Sequence, residues 1–87
     1  MTAKQQELMT KHYNRIAGGG AEMLPEDNKL LKVSNPYTGV TRELTPMAES
    51  VYSLCIGAER LGQYKIMRNC LDWFRKWYPS EYMDLLD

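Results

Sequence analysis

The chain has 87 residues, of which 44% are hydrophobic and 10% aromatic, a composition that suits one globular domain and leaves no room for a second. Eleven basic and eleven acidic residues give a net charge of zero, which removes any long-range attraction to nucleic acid or an anionic membrane and leaves only a local patch able to hold either. No apolar run approaches the roughly 18 residues of a spanning helix, and the segment Met1 to Glu7 has no hydrophobic signal region, so the expectation is a cytoplasmic protein without membrane contact.

In chain order, the first element is an amphipathic helix from about Ala3 to Ile16. Leu8, Met9, His12, Tyr13 and Ile16 share one face, Lys4, Glu7, Lys11 and Arg15 the other, and Glu7 with Lys11 makes a favourable i,i+4 pair. Such a helix is marginal in water alone, so it must dock on the body, on another copy or on a target. Gly18, Gly19 and Gly20 end it and begin a flexible linker predicted over about residues 17 to 28. Next comes a turn: Asn35-Pro36-Tyr37-Thr38-Gly39 combines a side chain able to bond its own following backbone, a proline with fixed φ and a glycine tolerant of positive φ. Leu30 to Ser34 and Val40 to Glu43 are predicted to pair across it as a short β-hairpin, which is stable only if a helix covers it.

Thr45-Pro46 then starts a helix, since the threonine hydroxyl can accept from a free N–H and proline at the first helical position gives up a bond that would be unmade anyway. Its main stripe is Met47, Ala48, Val51, Leu54, Cys55, Ala58 and Leu61, and Gly62 breaks it. The following stretch, Gln63 to Tyr78, is the most orderly in the chain. At roughly 100° per residue, Tyr64, Ile66, Met67, Cys70, Leu71, Trp73, Phe74, Trp77 and Tyr78 occupy one half of a helix, and Lys65, Arg68, Asn69, Asp72, Arg75 and Lys76 the other. So broad an arc needs two packing partners, or one partner and another molecule. Pro79 stops this helix, and Ser80 to Leu86 is predicted as a last short helix returning Tyr82, Leu85 and Leu86 to the core. The expected fold is therefore a mainly α domain built on a helical hairpin of about residues 45 to 78, with a short β-hairpin.

None of these residues spells out a reaction. His12 on an apolar helix face reads as a packed residue with one bonded ring nitrogen, or an interface residue, because spacing nominates neither an orienting carboxylate nor a nucleophile. Cys55 and Cys70 fall on apolar faces without Cys-x-x-Cys spacing and read as small core residues; two thiols and one distant histidine cannot complete a zinc site within one chain. Glu81, Asp84 and Asp87 drift around a terminal helix and read as solvated carboxylates rather than cation ligands. The three glycines lack the lysine and the preceding strand of a nucleotide loop. The expectation is a protein that is not an enzyme and carries no cofactor or metal.

What exceeds a two-helix contact is apolar surface. Tyr52 and Ile56 lie away from the main stripe of their helix, and Ile66 and Trp73 lie at an edge of the broad arc. With Leu8, His12 and Ile16 of the first helix they are the candidate contact residues, for a protein partner or for self-association into a homo-oligomer. The alternative is a nucleic-acid-binding face at Lys65, Arg68, Arg75 and Lys76, disfavoured because Asp72 interrupts it at ion-pairing distance in sequence from Arg68 and Lys76.

The phrases Asn35-Pro36-Tyr37-Thr38-Gly39-Val40, Glu43-Leu44-Thr45-Pro46, Leu71-Asp72-Trp73-Phe74-Arg75, Tyr82-Met83 and Leu85-Leu86-Asp87 together resemble small uncharacterised bacteriophage-encoded proteins over about the last three fifths of the chain. None is a catalytic motif, and no site residue is carried over. The resemblance implies an accessory factor that binds and redirects a host or viral protein in the host cytoplasm.

Overall fold

The computed structural model describes residues 2–19 and 29–86. Most of the predicted glycine-rich linker, and Asp87, lie outside them. The described residues form four helices and one two-stranded antiparallel sheet, a mainly α fold with a short β-hairpin.

Helix α1 (Ala3–Ala17) starts at a signal the apolar pattern does not contain. Thr2 and Gln5 form a capping box, in which the Gln5 N–H donates to the Thr2 hydroxyl at 3.2 Å and the Thr2 N–H donates to Gln5 Oε1 at 2.8 Å. Gly18 ends the helix at φ 74°, a left-handed conformation that an L side chain resists. Glu7 and Lys11 are paired at 3.2 Å.

Strands β1 (Leu31–Ser34) and β2 (Thr41–Leu44) pair with Leu31 opposite Leu44 and Ser34 opposite Thr41. The second strand begins one residue later than expected because the turn uses Val40: its carbonyl accepts from the Asn35 N–H at 2.9 Å, while the Asn35 carbonyl accepts from the Gly39 N–H at 2.8 Å. It also runs one residue further, carrying Leu44 into the core at 1% exposure. Leu31, Val33, Arg42 and Leu44 form the inner face of the ribbon, which α2 (Pro46–Arg60) and α4 (Pro79–Leu85) cover. That cover is what stabilises an otherwise marginal hairpin.

Helix α2 is capped by the Thr45 hydroxyl, which accepts from the Ala48 N–H at 3.2 Å. It packs against α3 (Tyr64–Trp77), the two joined at Gly62, whose φ is 71°. Tyr78 separates α3 from α4. A residue before proline avoids the helical region, and Pro79 then suits the first position of a new helix, so the proline begins α4 rather than merely ending α3.

The core holds Met9, Tyr13, Leu44, Met47, Ala48, Val51, Cys55, Cys70, Trp73, Phe74 and Leu85. Trp73 is its largest member, fully buried, with its ring against Tyr13, Phe74 and Tyr78 at centroid distances of 6.4, 6.0 and 5.7 Å. Its indole N–H donates to the Met9 carbonyl at 3.2 Å. From Met67 to Tyr78 the broad arc of α3 finds its partners within the chain, in α2, α4 and the docked α1, while Tyr64 and Ile66 at its start stay exposed. Two expectations are corrected here. Trp73 is not a contact residue for another molecule, since α1 closes over it, and Leu61 is not part of the α2 stripe, because it lies at the helix end and is 75% exposed.

Candidate functional site

Of the predicted contact residues, Tyr52 and Ile56 are brought together in a groove. They stand one turn apart on α2, both half-buried, on the side facing the hairpin turn and the end of α4. With Pro36, Tyr37, Leu85 and Leu86 they line a space of about 560 Å³, with Glu59 and Arg60 at its α2 end. A second bay beside it shares Pro36, Tyr52, Ile56 and Arg60. Tyr37 is 94% exposed.

The wall opposite α2 is held by Asn35, the one buried polar residue among those described. Its Oδ1 accepts from the Tyr37 N–H at 2.8 Å, and its Nδ2 donates to the Asp84 carbonyl at 3.0 Å, so one amide shapes the turn and ties it to α4. Arg42 makes the same tie from the strand: its guanidinium pairs with Glu81 at 3.5 Å and with Asp84, and donates to the Ser80 hydroxyl at 3.2 Å. Glu81 and Asp84, expected as solvated carboxylates, are therefore partners of Arg42. The sequence marked Asn35 and Pro36 as turn formers, but their role as a groove wall depends on α4 reaching them from 49 residues away.

The remaining candidates lie elsewhere. Ile16 is half-buried against the core, and Leu8, 47% exposed, borders a shallow depression with Lys11, Asn14 and Arg15. His12 accepts at Nδ1 from the Trp77 indole N–H at 3.2 Å. An indole can only donate, so this imidazole is neutral with its proton on Nε2. Burial, then the charges of Arg15 and Lys76, lower its pKa, with Asp72 opposing them. Ile66 is 37% exposed on the first turn of α3.

The basic stripe is split. Arg75 pairs with Asp72 at 2.6 Å, an i,i+3 contact in place of the two i,i+4 pairs expected for Asp72, and the Lys76 ammonium lies over the Trp77 ring at 5.1 Å. Lys65 and Arg68 remain exposed near the start of the helix. Cys55 and Cys70 are buried free thiols. Burial raises both pKa values, that of Cys70 to about 11, with Cys55 adding to it, so both are protonated and poor nucleophiles near neutral pH. Among the described residues no cluster of three or more His, Cys, Asp or Glu could hold a metal ion, and no helix is long and apolar enough to cross a membrane.

No family model, no curated protein and no solved structure matches the chain.

Proposed function

We propose that this chain is a non-catalytic binding protein that acts through protein contacts, with the groove between α2, the hairpin turn and α4 as its docking surface. The observation that carries this reading is the joining of Tyr52 and Ile56 with Pro36, Tyr37, Leu85 and Leu86 around one open apolar space. Concave apolar surface with a few polar groups at its edge is where anchoring side chains of a partner gain most on burial. Tyr37 supports it further, because a tyrosine held almost wholly in solvent by a fixed turn loses little freedom when a partner packs on it. The resemblance to small phage-encoded proteins favours a binding role, with a host or viral protein and a second copy of the chain as the competing partners. Catalysis has no part in this reading, in which both thiols lie buried in the core and His12 accepts from Trp77.

Affinity capture from host lysate with the wild type, Ile56→Asp and Tyr37→Ser, each checked for an unchanged melting curve, tests the proposal. A partner retained by the wild type and lost with both variants is expected. Identical capture by all three contradicts the groove, and a concentration-dependent mass in sedimentation that Tyr37→Ser abolishes moves the assignment to self-association.

A further inference from the structure

The end of the helical hairpin carries a second surface, built from different chemistry. Residues 59–66 are exposed without interruption, and within them lie Leu61 at 75%, Tyr64 at 61% and Ile66 at 37% exposure, three of the eight large hydrophobics left in solvent among the described residues. Arg60, Lys65 and Arg68, also exposed, alternate with them in sequence, and no acidic residue occurs between Glu59 and Asp72. Residues 59–71 thus carry three of the eleven basic residues against one acidic residue, Glu59, so the rest of the sequence holds eight basic residues against ten acidic ones. The neutral total conceals a local excess of positive charge at this tip. Helix α3 also begins here with no side-chain cap, so its free backbone N–H groups add partial positive charge to the same end.

The geometry points to the hairpin tip as a docking surface for an anionic lipid bilayer, with Leu61, Tyr64 and Ile66 entering the headgroup layer and Arg60, Lys65 and Arg68 meeting the lipid phosphates. Charge complementarity selects an anionic partner, and the apolar residues select a lipid one. Leucine and isoleucine gain from entering the acyl boundary and offer nothing for a base to stack on, whereas tyrosine suits the interface itself. A single-stranded nucleic acid would use a basic groove with several aromatic platforms; the tip has one exposed aromatic ring, and neither bay of the α2 groove is lined by a residue from 61 to 69. Overall neutrality leaves room for such a local patch, and peripheral docking needs no spanning helix.

The test is co-sedimentation of the full chain with vesicles of mixed phosphatidylglycerol and phosphatidylcholine, against vesicles of phosphatidylcholine alone, at low and high salt. Lys65→Glu with Arg68→Glu forms one variant and Leu61→Ser with Tyr64→Ser the other. All four positions are exposed and lie outside the groove, so this surface and the protein-binding one fail separately. The expected result is salt-sensitive binding to the anionic vesicles only, lowered by about tenfold or more in the charge variant and clearly lowered in the apolar one, with unchanged melting curves. Absence of binding at low salt, or binding indifferent to either variant, overturns the proposal. So does retention on a single-stranded oligonucleotide that needs Lys65 and Arg68 but not Leu61, which would assign the tip to nucleic acid.

Discussion

The two ends of α3 carry similar apolar side chains and meet opposite fates. At the C-terminal end Trp73 and Phe74 are wholly enclosed and Trp77 is half-buried beneath α1, while at the N-terminal end Tyr64 and Ile66 face solvent beside Leu61. The difference is one of reach. Helix α1 crosses α3 at Met9, His12 and Tyr13, where it meets Trp73 and Trp77, and it is fixed there by two indole N–H bonds and by the Tyr13 hydroxyl, 2.9 Å from Ser50 of α2. A half-apolar helix is thus closed into core at one end and left open to solvent at the other.

The largest expected effect belongs to the closed end. Trp73→Ala removes the central ring of the core and should destabilise folding by about 3 to 5 kcal/mol in denaturant titration; a cost below about 1 kcal/mol, the range of ordinary surface changes, would break the distinction between the ends.

A smaller effect is expected from pH. Because the folded state lowers the His12 pKa below its ordinary value of 6.5, the neutral ring is the form that folding favours. Its contribution is fully present above that value and is lost as pH falls through it toward the depressed folded value. Protonation also turns Nδ1 into a donor facing the donor of Trp77, near Arg15 and Lys76, with Asp72 offsetting part of that repulsion. Denaturant midpoints of the wild type should therefore drop between about pH 8 and about pH 5, the interval in which imidazole changes charge, by more than those of His12→Gln. Equal drops would show that the α1 contact does not depend on the neutral ring.

The smallest effect sharpens the comparison from the open end. Leu61→Ser should change stability by no more than about 0.5 kcal/mol, as an exposed position without a packing role does, and a cost of about 2 kcal/mol or more would place Leu61 in a core.

Much of the architecture was legible because its signals are local. Thr45-Pro46 sets a helix start, Asn35 through Gly39 a turn, and the 3.6-residue period of α3 its apolar half, each within a few residues. Even the shift of Pro79 from stop to start concerns neighbouring peptides. The fate of the arc was not legible. Period alone gives Ile66 and Trp73 the same edge of α3, yet one is exposed and the other enclosed, because the choice depends on a carbonyl 64 residues from Trp73. The groove behaves similarly: Tyr52 and Ile56 stood out as surplus apolar residues, but Pro36, Tyr37, Leu85 and Leu86 join them only through the bonds that Asn35 and Arg42 make to α4.

Hydroxyl-radical footprinting of the native chain, read by mass spectrometry, tests the contrast between the ends in one experiment. Leu61 and Tyr64 should be modified readily while Trp73, intrinsically the more reactive ring, stays unmodified until the protein unfolds. Modification of Trp73 at the same denaturant concentration as Tyr64, in the folded baseline, would contradict the account.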